Sequence, residues 1–432
     1  EAGEEADALR AEIAGRLHLA ETTVNGLLQP VQYITTIFWI QDHHPDQTVL
    51  FVALLAALRG AGLLICSLFG GAIADRFQRR RVLLGCESVA AVLAGLTAVV
   101  MLTNPIGGAS VALVLGLAFF AAANQAVDMP ARAASLADSA GKEALASAIS
   151  LNTLATQLAT PVAFPVMGIL NGAFDSGRVY LGSVAVYAII LPLVLALRYV
   201  SVLDDGPRRD VLGNIREGLA YARRDSVIFG IVAAMLVLNL IGAPGVASLA
   251  PVWMTKVLGL SKTQFGFMAA GWGIGAVTSS LFFTWRHRLA GRGMGFCGCV
   301  LLFAVAAVIF GHSRFVPLTA LMFFLLGFSQ AGTLLTSATI IQQIVPDEMR
   351  GRLMALFPLA QGVSMLNAGP VGVLGQAAGL QLIVPIFSWS TLVLVVLLMA
   401  SRPTLRRVAP GQPQPAVVPL EAGVPADAVA AR

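Results

Sequence analysis

Apolar runs about twenty residues long recur along this chain, each closed by a short polar stretch. A helix needs about 20 apolar residues to cross a bilayer, and the spacing predicts twelve such spans. The first six cover 19–40, 49–73, 82–103, 109–128, 144–171 and 179–200. The last six cover 227–254, 264–285, 294–311, 315–344, 353–376 and 380–400. The segment Asn104-Pro105-Ile106-Gly107-Gly108 reads as a tight turn between the third and fourth. The longest internal polar stretch, 201–224, divides the spans into two sets of six. The expected organisation is an amphipathic segment (1–18), a six-helix bundle (19–200), a linker (201–224), a second bundle (225–402) and a disordered tail rich in Pro, Ala and Val (403–432). The expected fold class is therefore an all-α membrane protein with two pseudo-symmetric halves.

Composition supports this reading. Of 432 residues, 57% are hydrophobic and only 12% charged, which excludes an ordinary soluble domain. The net charge of +5 is a signal of topology, not of nucleic-acid binding. With the spans above, 23 of the 28 Lys and Arg residues fall on one side, four on the other, and Arg59 lies inside a span. Basic residues stay in the cytoplasm, so both termini and the 201–224 loop are expected there. The four cysteines, Cys66, Cys86, Cys297 and Cys299, lie in apolar runs, so neither disulfides nor a metal site is expected. No Walker lysine motif and no nucleophile–base arrangement appears. The chain reads as neither an ATP-driven pump nor an enzyme, and no cofactor is expected.

One polar stretch is distinctive. Gly70-Gly71-Ala72-Ile73-Ala74-Asp75-Arg76-Phe77-Gln78-Arg79-Arg80-Arg81 joins the second and third spans. Small residues let backbones approach, the arginines hold the turn inside, and Asp75 can pair with a cation or sit near a helix N-terminus. This stretch resembles the signature loop between helices 2 and 3 of the major facilitator superfamily. Gly71, Asp75, Arg76, Arg79, Arg80 and Arg81 fall on that pattern, with Gln78 in place of its second Gly. The later loop Arg286-His287-Arg288-Leu289-Ala290-Gly291-Arg292 is a degenerate counterpart without the acid.

Several further stretches resemble the branch of bacterial secretion and drug-efflux proteins that includes the enterobactin exporter. They are Ala148 to Asn152, Thr160-Pro161 to Pro165 and Gly168, Ile215 to Arg223, Gly271 to Gly275, and Pro346 to Arg352. The chain departs from the branch at Thr160, where a Gly is expected. It also lacks an arginine in span 4 and a mid-depth acid in span 1. The resemblance implies the major facilitator fold, with two bundles rocking about a central cavity lined by spans 1, 4, 7 and 10. It implies a bacterial inner-membrane location and a gate built from Gly71, Asp75, Arg76, Arg79 and Arg80 against Arg350, Gly351 and Arg352.

Polar side chains within spans are the candidates for transport chemistry. Asn25, Gln29, Gln32 and Thr36 are spaced by four, three and four, which places them in one stripe. Tyr33 adjoins them. Asn124 and Gln125 in span 4, Asn239 in span 7 and Gln330 in span 10 complete the expected substrate-binding set. Ordinary interhelical hydrogen bonding is the competing role for each. Aromatic neighbours such as Phe38, Trp39, Trp253 and Trp272 suit an amphipathic organic substrate. Among the acids, Glu21 and Asp128 are the proton-coupling candidates; Asp128 has Arg132 one helical turn away, and Glu21 remains by elimination. Arg59 and Glu87 read as a structural pair. The partners expected are a small molecule, protons and the lipid bilayer, around a monomer. The reading that follows is a proton-coupled exporter of drug- or siderophore-class molecules. A lipid translocator or nutrient importer on the same fold, or a non-transporting scaffold subunit, are the alternatives.

Overall fold

In the computed structural model the described residues are 2–196, 211–286, 289 and 292–408. Within them, the side chains of 2–14, 68–76, 137–147, 149–150, 211–212, 214, 347–348 and 407 lie outside the description. No strand occurs among the described residues. The first half is built from α1 (Ala2–His43), α2 (Thr48–Arg76), α3 (Arg79–Thr103), α4 (Ser110–Ala173) and α5 (Ser176–Ala196). The linker contains α6 (Val211–Arg224). The second half runs through α7 (Ser226–Val237), α8 (Lys262–Trp285), α9 (Gly293–His312), α10 (Val316–Ile344), the short α11 (Asp347–Met354), α12 (Leu356–Ala378) and α13 (Leu380–Ser401).

Local chemistry sets the ends of these helices. Asn104 closes α3 in the left-handed region at φ 43°, a conformation Asn tolerates better than most residues. The Asp225 carboxylate caps α7 by accepting from the Val227 and Ile228 amides. Ser261 and Gln264 form a reciprocal capping box at the start of α8.

Among the described residues, ten stretches are long and apolar enough to cross a membrane. The other two expected spans lie within α1 and α12, whose amides, Asn25, Gln29 and Gln32 in one and Gln361 and Asn367 in the other, lower their apolarity. The sequence predicts a polar break between spans 4 and 5, and helical residues run without a gap from Ser110 to Ala173, 64 residues. Helix α4 nevertheless doubles back. Arg132 binds Glu21, while a methyl on Gly26 would lie 3.3 Å from the Ala159 Cβ. Glu21 and Gly26 are about 7.5 Å apart along α1, whereas a straight helix would separate positions 132 and 159 by about 40 Å. The chain therefore reverses between Arg132 and Ala159, giving one limb for each span. The stretch after α7 also departs from simple helix. It contains two π-helical turns, Leu238–Gly242 and Trp253–Val257, flanking Pro244 and Pro251. The Asn367 amide donates to the Leu240 carbonyl freed within the first of them.

The two halves meet along two seams of small residues. At the first, α2 lies on α12: a methyl added to Gly60 would fall 2.5 Å from the Leu366 nitrogen, and one on Gly372 would strike the Ala53 Cβ. At the second, the later limb of α4 lies on α8. A methyl on Gly168 would sit 2.8 Å from the Gly266 Cα, and one on Gly273 would sit 2.7 Å from the Pro161 nitrogen. Lipid is as apolar as the interior, so close packing rather than water exclusion drives this association. A shared core of fully buried Phe38, Trp39, Trp253, Phe303 and Phe310 runs through the molecule.

One end of the bundle carries the α2–α3 turn and the linker, with Arg79, Arg80, Arg350 and Arg352; this is the basic end. At the far end the halves are joined. Asp42 pairs with Lys262 at 2.6 Å, Lys256 donates to the Pro45 carbonyl, and Gln376 donates to the Asp46 carbonyl at 2.7 Å. Beneath them Phe38 and Phe265 meet edge to face at 5.5 Å.

Candidate transport site

The centre of the first half holds a buried group of charges. Arg132, on the first limb of α4, has a side chain only 14% exposed. Its Nε and Nη2 donate to Asp128 Oδ2 at 3.0 and 2.9 Å, the expected contact between residues one turn apart. Its Nη2 also donates to Glu87 Oε1 of α3 at 2.5 Å, and its Nη1 donates to Glu21 of α1. Asn25, one turn after Glu21 on α1, donates to the same Glu87 oxygen at 2.7 Å. Three helices thus converge on one guanidinium, whose planar fork can serve several carboxylate oxygens at once.

The group is unbalanced. Three carboxylates face one guanidinium, and Glu21 is fully buried. Glu87 Oε2 and Asp128 Oδ1 are buried without a hydrogen-bond partner. His18, three residues before Glu21 on α1, is also fully buried with neither ring nitrogen bonded. Buried charge is costly unless paired, and here one guanidinium faces three carboxylates.

A polar cavity of about 40 Å³ adjoins this group. By the measure in which one water fills about 10–15 Å³, it holds about three small groups. Asn25, Gln29, Gln32, Tyr33, Thr36, Asn124 and Gln125 all line it, together with Arg59, Glu87 and Asp128. Gln32 donates to the Ser183 hydroxyl at 3.1 Å, and Asn124 donates to the Cys86 carbonyl at 2.9 Å. The residues of the second half in the expected binding set lie elsewhere. Asn239 donates back to the Met235 carbonyl at 2.9 Å, and neither it nor Gln330 lines the cavity.

Arg59 and Glu87 line the same cavity, but not as the pair expected from sequence. Glu87 is held by Arg132 and Asn25, and Arg59 stands over the Tyr33 ring at 5.2 Å. Sequence reading also missed Tyr180, Tyr187 and Thr97 in the lining, and the reach of Arg132 to two further helices. Only the Asp128–Arg132 contact left a local signal, the four-residue spacing.

At the basic end, the side chains of Gly71, Asp75 and Arg76 lie outside the described residues. Arg79 donates to the Ala134 carbonyl at 3.4 Å, and Arg80 donates to the Leu195 carbonyl near the C-terminus of α5. Arg350 Nε donates to the Val345 carbonyl at 2.9 Å. Arg352 pairs with Glu217 of the linker helix α6, so α6 and α11 are tied together. A methyl on Gly351 would meet nothing within 4 Å.

Two six-helix halves about a polar interior define a multi-pass membrane transporter fold. The chain belongs to the transmembrane secretion effector family of the major facilitator superfamily, whose pattern matches residues 22–416. Among characterised relatives, the enterobactin exporter EntS of Escherichia coli O81 (strain ED1a) is 26% identical over 374 residues, covering 84% of this chain and 86% of that one. Solved structures share the fold. A bacterial homolog of the human lysosomal transporter Spinster, inward-facing and unoccupied, superposes with a TM-score of 0.67 at 15% identity, over 92% of this chain and 97% of that one. The nucleoside transporter NupG gives 0.65 at 12% identity, over 90% and 98%.

Proposed function

We propose that the chain is a proton-coupled exporter of amphipathic small molecules, of drug or siderophore class, working by alternating access. In this reading it lies in the bacterial cytoplasmic membrane with its basic end and both termini inside, as the distribution of Lys and Arg favours. The far-end contacts of Asp42, Lys256, Lys262 and Gln376 then close the outer side. The family membership and the resemblance to the enterobactin exporter support export.

The observation that carries proton coupling is the surplus of buried carboxylate around Arg132, next to the polar cavity. Glu21 is the proton carrier, and Asp128 holds Arg132 in place. A proton on Glu21 weakens its bond to Arg132 and so loosens α1 from the first limb of α4. Loss of the proton draws them together again. The amides of Asn25, Gln29 and Gln32 hold the substrate. The Asp75 loop gates the inner side against Gly351.

Reconstituted vesicles test this reading. Parent protein and Glu21→Gln are compared for accumulation of amphipathic fluorophores, ethidium and fluorescein among them, under an imposed pH gradient. The parent should accumulate at least one dye, an uncoupler should abolish this, and Glu21→Gln should lower the rate at least tenfold. Undiminished rates in the variant would remove Glu21 from the mechanism. Transport by the parent that ignores the gradient would reject proton coupling.

A further inference from the structure

Arg59 stands apart from the carboxylates around Arg132. The level of each group can be read from α1, where Asn25 holds Glu87 and Tyr33 lies beneath Arg59. Eight residues of helix separate those levels by about 12 Å. The cavity therefore has an acidic end and a cationic end. Arg59 is its one lining cation among the described residues.

Nothing at the cationic end neutralises that charge. Among the described residues Arg59 makes no ion pair, and its buried Nε has no hydrogen-bond partner. The Tyr33 ring offers a cation one face, an attraction that offsets only part of the loss of water. The five N–H donors of a guanidinium lie in its plane, so a ring on one face leaves them unused. Nearby lining groups are neutral: Gln29, Gln32, Thr36, Thr97 and Tyr180. A guanidinium kept in a membrane interior without a counter-ion is an incomplete arrangement.

We propose that Arg59 is an anion receptor and that the transported molecules are amphipathic organic acids, held by their carboxylate. The proposal rests on the transporter reading and names its substrate class. A planar oxyanion matches the guanidinium fork with two parallel hydrogen bonds. The cavity of about 40 Å³ accepts such a head group, but not a whole drug-sized molecule. The remainder of the substrate would extend along the amides of Gln29 and Gln32 as the halves part. Anion recognition and proton handling then occupy separate ends of one cavity.

The test is equilibrium dialysis of purified full-length protein with two acid and amide pairs: salicylate with salicylamide, and benzoate with benzamide. No proton gradient is present. The parent should bind at least one acid tenfold or more tightly than its amide. Arg59→Gln should lower acid affinity at least tenfold and leave amide affinity and the gel-filtration profile unchanged. Arg59→Lys, which keeps the charge but loses the fork, should retain a preference for the acid at no more than a third of the parent's affinity. The proposal is overturned if the parent binds none of the acids, if it binds acid and amide alike, or if either variant binds acids as the parent does. Should Arg59→Gln fail to fold, the parent preference and the Arg59→Lys affinity still decide. Lost acid preference with gradient-driven transport intact would reject Arg59 alone. Intact acid preference without gradient dependence would reject proton coupling and leave the anion site standing.

Discussion

The two halves share an architecture and differ in their interiors. Among the described residues, the charged side chains that line or adjoin the cavity all belong to the first half: Glu21, Arg59, Glu87, Asp128 and Arg132. In the second half, residues 226–255, 263–285, 315–346 and 353–401 contain no Asp, Glu, Lys or Arg. Its centre is aromatic, with Trp253, Phe296, Phe303 and Phe310 fully buried. Several of its buried hydroxyls turn back on their own helices: Ser329 to the Leu325 carbonyl, Thr336 to Gly332 and Thr391 to Phe387, whereas Ser279 and Thr333 are buried without a partner. A hydroxyl satisfied within its own helix asks nothing of a neighbour or a solute. Pseudo-symmetry here is a symmetry of shape only. In the proposed cycle the first half holds the groups that change state, and the second half supplies the apolar counterpart.

The largest test of that contrast removes Arg132. Arg132→Met strips three carboxylates of their shared cation, and loss of one member of a buried pair costs about 3–5 kcal/mol. The expected result is a steep fall in Tm and in the yield of monodisperse protein. Phe303→Leu, a shortened but still apolar residue in the second half, should cost less. Equal losses from the two variants would erase the distinction between the halves.

A middle-sized effect is expected at the seams, where both halves contribute equally. Gly168→Ala would press a methyl against the Gly266 backbone, and overpacking of that kind costs about 1–3 kcal/mol. Gly116→Ala, also on α4, meets open space and should gain up to about 1 kcal/mol from helix propensity. Thermal unfolding in one detergent compares the two. A neutral Gly168→Ala would mean that the seam is looser than described.

The smallest effect belongs to the far-end closure. Asp42 and Lys262 are 41% and 26% exposed, and ion pairs this open contribute about 0.2–1 kcal/mol. A double-mutant cycle with Asp42→Asn and Lys262→Gln should return a coupling of that size. A coupling of several kcal/mol would make the far end, rather than the buried charges, the dominant contact.

The spans and much of the cavity lining were legible because both depend on local periodicity. Apolar length located α3 to within three residues of its expected start, and spacings of four, three and four put Asn25, Gln29, Gln32 and Thr36 on one face. The ion pairs were legible only where they were local. Asp128 and Arg132 are four apart, whereas Glu87 and Glu21 are 45 and 111 residues from Arg132. Which acid meets which base across such distances depends on the depth and rotation of whole helices, and no pattern along one helix encodes that. Hence the sequence alone pairs Arg59 with Glu87. Polar residues in spans 7 and 10 read like those of spans 1 and 4, yet Asn239 spends its amide on the Met235 carbonyl in a stretch of π-helix.

The seams of small residues bear on the kinetics of any rocking motion. Where Gly168 faces Gly266 and Gly273 faces Pro161, main chain rests on main chain or on a proline ring. A joint made of interlocked long side chains must unmesh and pass through rotamer barriers before its parts can turn. A joint of bare backbone has little to unmesh, so it works as a low-friction bearing. Resistance to turning then gathers where side chains reach across, at Asp42–Lys262 and beneath it at Phe38–Phe265. The side-chain contacts broken in each turn would then lie at the rim, and the axis of turning would be set by the bearing.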